Sequence, residues 1–249
     1  MNKKLATYFS ARNVMKKTFL LVLGAMMICS IMGCASAVEK GTVDKAGSSS
    51  TANIPSKKNT SSDHKGKTLV VYFSMPETDK PGNMTKEEDN STTVINGKVI
   101  GNVEYFASVI QKNTGADVFR IEPKVPYTKE HKELVAQAKQ EKQRSARPEI
   151  KGRIENLDSY DTIFLGYPNW WGDMPMILYT FLDQYDLSDK TIVPFNVHGG
   201  SGFSDTIQEI ARKEQGANVK SDGLSISRDD IQDSESTIVN WLKKLGYVK

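Results

Sequence analysis

The chain of 249 residues carries 33 Lys and Arg against 30 Asp and Glu, a formal charge of +3, with 38% hydrophobic residues and two cysteines. This is a globular composition, long enough for one good-sized domain with extensions or two small domains, and it excludes a disordered chain or a bundle of membrane spans. Two cysteines exclude a disulfide-stapled scaffold and a Cys-rich zinc module, and the mild basicity argues for nucleic acid only if the charge is clustered.

Lys3, Lys4, Arg12, Lys16 and Lys17 precede an uncharged apolar run from Thr18 to Gly33. At sixteen residues the run is shorter than the roughly 20 a spanning helix needs, so the basic flank and apolar stretch read as an export signal. The run closes in Ile31, Met32, Gly33 and Cys34, which resembles a bacterial lipobox. That resemblance implies removal of residues 1–33, lipidation of Cys34 and an extracytoplasmic protein anchored to the cell membrane. A plain signal anchor, or a cleaved signal with a chance cysteine, is the competing reading. Loss of those five cationic residues takes the side-chain charge from +3 to −2, so the basicity belongs to the leader and gives no argument for nucleic acid. Residues 34–66 are Ser, Thr, Lys, Asn and Gly with little to bury, and read as a disordered tether of about 30 Å reach.

From Lys67 to Lys249 strand and helix patterns alternate. Apolar, β-branched runs at Thr68–Ser74, Asp117–Glu122, Thr162–Tyr167 and Thr191–His198, with a weaker one near Val219–Ser227, predict five strands buried on both faces. A helix is expected from Asn102 to the Gly115 stop, where Val103, Phe106, Ala107 and Ile110 form an i, i+3, i+4, i+7 stripe. Further helices are expected at His131–Ser145, Met176–Tyr185, Asp205–Gln215 and Ile231–Leu245. This alternation predicts an α/β fold: a three-layer, doubly wound, five-stranded parallel sheet. Ligands of such sheets bind beyond the carboxyl ends of the strands, which directs attention to the loops after strands one, three and four.

After the first strand the chain takes a detour of 28 residues, Met75 to Asn102, in which Thr93–Ile100 reads as an inserted hairpin around Asn96-Gly97. Two stretches there could cradle an anion, Gly82–Thr85 and Gly101–Glu104. Only the second is expected to open directly into a helix, so Gly101 and Asn102, faced by the Ser74 hydroxyl, are preferred. After the third strand come Pro168, Asn169, Trp170 and Trp171; two adjacent tryptophans cannot both enter one core, so at least one presents its ring near the surface, either stacking on a planar ligand or sealing the loop. After the fourth strand, Gly199, Gly200, Ser201 and Gly202 let the backbone approach a ligand closely. That turn approaches the hydrolase elbow G-x-S-x-G, but Phe203 stands at the last glycine position and the histidines are poorly placed for a triad. His198 reads as a hydrogen-bonding loop residue, with proton donation to a ligand as the competing reading.

VVYFS at Val70–Ser74, Gly101-Asn102, YPNWWGDMP at Tyr167–Pro175 and HGGSGF at His198–Phe203 together resemble the flavodoxin family, in the branch with an extended first loop. The resemblance implies strand order 2-1-3-4-5 and bound FMN. Ser74, Gly101 and Asn102 would take the phosphate, Pro168 to Trp171 would line one side of the isoalloxazine ring, and Gly199, Gly200, Ser201 and Gly202 would offer backbone contacts to its polar edge. Val103 departs from the family's usual Thr, which removes one hydroxyl donor. The implied activity is electron transfer between a small-molecule or protein donor and acceptor, as a carrier or a small quinone-type reductase. The alternative is a surface binding module that keeps the fold without the flavin.

Overall fold

The computed structural model describes residues 66–249. The predicted leader, Cys34 and all but the last residue of the tether lie outside the described residues. β1 (Lys67–Tyr72) opens the domain. The insertion that follows contains the predicted hairpin, β2 (Thr92–Ile95) and β3 (Lys98–Gly101), and also a short helix, α1 (Lys86–Ser91). The signal for α1 is the capping box in Thr85-Lys86-Glu87-Glu88: the Glu88 amide donates to Thr85 Oγ1 (3.2 Å) while the Thr85 amide donates to the Glu88 carboxylate (2.8 Å). Asn96 and Gly97 both take positive φ, as a tight hairpin turn requires. Gln232 grips the hairpin from the far end of the chain, accepting from the Val94 amide (3.2 Å) and donating to its carbonyl (3.3 Å).

α2 (Asn102–Thr114) runs from Gly101 to Gly115, whose left-handed φ of 70° lets its amide close on the Gln111 carbonyl. β4 (Asp117–Arg120) stops short of the expected Glu122. Glu122 and Pro123 instead form β5 (Glu122–Pro123), which pairs antiparallel with β6 (Ile150–Lys151) across α3 (His131–Gln143). Pro123 has no N–H with which to continue the ladder. β7 (Tyr160–Pro168), α4 (Met176–Gln184), β8 (Thr191–His198) and α5 (Thr206–Lys213) follow close to expectation.

The fifth strand is split into β9 (Asn218–Val219) and β10 (Leu224–Ser227), both pairing with β8. Ile192 faces this edge, since its carbonyl accepts from the Lys220 amide (2.8 Å), so Pro194 two residues on turns its missing N–H to the same side. The ladder breaks opposite that proline. The last predicted helix is likewise divided: a 3₁₀ turn at Ile231–Asp233 precedes α6 (Glu235–Lys244), and Ser234 Oγ donates to the Ile231 carbonyl (2.7 Å) at the break.

The main sheet has the order β4-β1-β7-β8-β10, every pair parallel, which is 2-1-3-4-5 in strand positions. Alternation along the strands sends side chains into two cores. Val70, Phe164 and Phe195 pack with Phe106 and Ile110 of α2 and with Trp241 of α6. Leu69, Val71 and Ile163 pack on the opposite face with Leu134 of α3, Phe181 of α4 and Ile210 of α5. The fold is therefore the three-layer α/β sandwich of the flavodoxin-like type, with the strand carboxyl ends and their loops along one crest. Among the described residues no helix is long and apolar enough to cross a membrane, and no cluster of three or more His, Cys, Asp or Glu is placed to hold a metal ion.

Candidate functional site

An open cleft of about 270 Å³ lies along the crest, close to the ~300 Å³ lower end of small-molecule sites. Of the residues singled out from sequence, Ser74, Asn102, Pro168, Asn169, Trp170, Trp171 and Gly199 line it, whereas Gly101, Gly200, Ser201 and Gly202 do not. Gly82–Thr85 do not line it either.

The β1 end is built around Ser74 and the start of α2. Ser74 is buried, and its Oγ accepts from the Glu104 amide (3.2 Å) in the first turn of that helix. Because the oxygen serves there as acceptor, its own O–H stays available to donate to a ligand. Gly101 lies so close that a Cβ on it would overlap Ser74 Oγ, so glycine is what lets hydroxyl and helix meet. Asn102 is committed to the insertion: its Oδ1 accepts from Thr93 Oγ1 (2.8 Å) and its Nδ2 donates to the Asn90 carbonyl (2.9 Å). It shapes the site as a strut between helix and insertion. Arg120, at the end of β4, pairs with Glu104 (2.9 Å) and donates to the Ser74 carbonyl (3.4 Å), which offsets the Glu104 charge beside the helix terminus.

The middle of the cleft is the Trp loop. The Trp170 and Asp173 backbones bond in both directions (2.9 and 3.1 Å), closing a turn whose central residues, Trp171 and Gly172, have φ of 55° and 70°. Positive φ is costly for a tryptophan, and such strain concentrates at functional sites. The two rings divide the work. Trp170 is half-buried and packs edge-on against Phe73 (5.5 Å) and Tyr127 (5.6 Å) of the core. Trp171 is 50% exposed. Its Nε1 donates to the Val135 carbonyl (3.1 Å), and the Lys139 ammonium lies 5.2 Å from its ring centroid, so α3 holds the ring in place. Asp173 accepts from the Met174 amide and the Tyr179 hydroxyl, both at 2.7 Å, and so fastens the loop to α4.

The β8 end is the His198–Gly202 turn. His198 Nδ1 accepts from the Gly200 amide (2.8 Å), a bond only the neutral ring can make. Burial pushes the imidazole pKa down, against the opposing pull of Asp230, which agrees with a neutral ring. The Gly202 carbonyl accepts from Asn169 Nδ2 (2.9 Å) and Asn196 Nδ2 (3.0 Å), tying this turn to the Trp loop. Gly200 and Gly202, with φ of 120° and 59°, thus hold the turn's shape while Gly199 faces the cleft.

Among the lining residues that were not anticipated are Glu77, His131 and Arg228. Glu77 comes from the insertion and His131 from the first turn of α3; they meet at 2.9 Å, and burial pushes the Glu77 carboxyl pKa up while its bond to His131 pulls it back. Lys129 pairs with Asp79 beside them, so the insertion is fastened to the loop and helix that flank the Trp side of the cleft. No local pattern in the sequence links positions this far apart.

The Flavodoxin family model matches residues 93–245, more than half of the chain, starting in the inserted hairpin. No curated protein sequence gives a significant match. Among solved structures, a Bacteroides eggerthii protein described as a flavoprotein is 27% identical with a TM-score of 0.55, covering 74% of this chain and 99% of its own. A Bacteroides uniformis protein described in the same way is 25% identical with a TM-score of 0.50, covering 68% and 96%. A Lactobacillus acidophilus flavoprotein solved in complex with FMN is 18% identical, with a TM-score of 0.48, covering 69% and 99%. With its sheet order, its crest of loops and the match over 93–245, this chain belongs to the flavodoxin family.

Proposed function

We propose that the protein binds FMN in the crest cleft and uses it to transfer electrons, as a carrier or a small reductase, at the outer face of a cell membrane. The observation that carries this reading is the convergence on one cleft of three elements. These are a hydroxyl paired with a helix N-terminus, a strained aromatic loop and a glycine-rich backbone turn, in a chain of the flavodoxin family.

The residues fit the cofactor. Ser74 Oγ and the first amides of α2, where the helix dipole favours an anion, would hold the phosphate. The Trp171 ring, locked by Val135 and Lys139, would cover a face of the flavin ring, and the backbone around Gly199 would meet its polar edge. FMN, when bound, supplies the redox chemistry by accepting and releasing electrons; the protein binds it, orients it and sets its potential. The insertion, clasped by Glu77–His131 and Lys129–Asp79, would exclude water from the phosphate side of the cleft. His198 would serve by fixing the glycine turn through Nδ1.

Trp171→Ala should weaken FMN binding by about 0.5–1.5 kcal/mol, the scale of a lost aromatic contact, when the full chain is titrated by flavin fluorescence. An unchanged dissociation constant would remove Trp171 from the site. The extracytoplasmic placement rests on the basic flank, the apolar run and the lipobox-like ending at Cys34. The wild-type protein should incorporate labelled fatty acid and fractionate with membranes, and Cys34→Ser should do neither; lipid labelling that survives the substitution would contradict the anchor.

A further inference from the structure

The crest carries a cation, Arg228, one of whose N–H groups the fold leaves unmet. Arg228 directly follows β10, and its amide donates to the His198 carbonyl (2.9 Å), which places it beside the glycine turn. Its guanidinium lies over Gly199: a Cβ there would sit 3.1 Å from both Cζ and Nη1. Arg228 Nε is buried and, among the described residues, has no hydrogen-bond partner. The nearest acid, Asp229, stands 4.0 Å away with its side chain 79% exposed, which is a poor counter-charge in geometry and in solvation. Asp230 lies near enough to act on His198, yet makes no bond to the guanidinium. Leaving a buried donor unmet costs about 1–3 kcal/mol, and more for a charged group. The site therefore holds a guanidinium on the cleft wall with its Nε–H unmet.

Its position along the crest identifies what it faces. The sheet order places the β1, β7, β8 and β10 ends in a row. Ser74 and the α2 terminus stand at one end, the Trp loop follows, and Gly199 with Arg228 closes the other. The cleft thus offers a hydroxyl and a helix N-terminus at one end, a guanidinium at the other and aromatic rings between. A ligand with its phosphate at the β1 end and a planar system along the Trp loop would present the far edge of that system to Arg228. In a flavin the edge suited to a guanidinium is the pyrimidine dione, where negative charge accumulates on reduction.

Resting on the FMN reading above, we propose that Arg228 contacts this electron-rich edge and stabilises the reduced cofactor selectively, raising its two-electron potential. The effect is differential: the oxidised ring offers the guanidinium only carbonyl dipoles, whereas the reduced ring offers charge.

The full chain loaded with FMN, as wild type, Arg228→Gln, Arg228→Lys and Gly199→Ala, is measured by potentiometric titration alongside the dissociation constant of oxidised FMN. Arg228→Gln should weaken reduced FMN about tenfold more than oxidised FMN, read as a fall of about 30 mV. Arg228→Lys should retain most of the wild-type potential because it keeps the charge. Gly199→Ala, whose methyl displaces the guanidinium without deleting it, should fall between the two. An unmoved potential in Arg228→Gln with FMN bound would overturn the role of Arg228 and leave the flavin reading standing. Equal weakening of both redox forms would overturn it as well. A wild-type chain that takes up no FMN would overturn both readings together.

Discussion

Ser74→Ala is expected to weaken FMN binding by about 1.5–3 kcal/mol, the net worth of a hydrogen bond to a charged group, while leaving riboflavin binding nearly unchanged. The contrast isolates the phosphate, because riboflavin lacks it. Gly101→Ala should have a similar effect by a different route. Its methyl would overlap Ser74 Oγ and drive the hydroxyl off the first turn of α2, so the helix amide and the serine lose each other as well as the ligand. Calorimetric titration of each variant with both flavins checks this. Equal losses for FMN and riboflavin would show that the phosphate lies elsewhere, and no loss for either would remove this corner from the site.

The largest expected effect on stability is at Phe195, for which truncation to Ala should cost about 3–5 kcal/mol. The side chain is fully buried in the centre of the sheet. Its ring meets Phe106 of α2 at 4.7 Å between centroids and fills the space left by Gly166 on the neighbouring strand, where any Cβ would overlap it. Removing it opens a void that spans two strands and a helix, and the glycine has nothing with which to fill it. Urea unfolding of the full chain followed by tryptophan fluorescence measures the loss; a cost below about 1 kcal/mol would mean that the core collapses around the gap.

The parts of this architecture that depend on local pattern are readable from the residues themselves. Thr191–His198 is a strand with the expected bounds because its apolar, β-branched run needs no distant information, and α2 ends where Gly115 predicts, though Gly101 and not Asn102 takes the cap position at its start. Asn96-Gly97 likewise announces its hairpin. What was not legible depends on partners across the fold. The fifth strand is interrupted because Pro194, on another strand, lacks a donor at that point. β4 stops at Arg120 because Glu122 and Pro123 pair with a segment nearly thirty residues away. The helix α1 carried a usable signal in its capping box, but the first residue of that box, Thr85, also closes the Gly82–Thr85 stretch that reads as an anion cradle.

The site divides in the same way. Ser74, the Trp loop and Gly199 could be placed along the cleft from sequence because loops after strands one, three and four of a parallel sheet converge at its carboxyl edge. The division of labour between Trp170 and Trp171 required the Phe73 and Tyr127 rings on one side and α3 on the other. Asn102 looked like a phosphate ligand and serves in the structure as a strut to the insertion. Glu77, His131 and Arg228 carry no motif at all: a histidine on a polar helix and an arginine after a weak strand gain meaning only when the chain folds them onto one cleft.

These contacts have a functional consequence. The Trp loop is hydrogen-bonded to the glycine turn, Asn169 to Gly202, and to α3, Trp171 to Val135, so this part of the cleft is organised before any ligand enters. A preformed site loses less entropy on binding, which offsets the hydroxyl missing at Val103. The direct test is titration of the flavin-free full chain with FMN, followed by the visible absorbance and fluorescence of the flavin. Saturable binding of one FMN per chain at micromolar or tighter concentration is the predicted result; the absence of any binding below the millimolar range would contradict the account and leave a flavodoxin fold that serves another ligand.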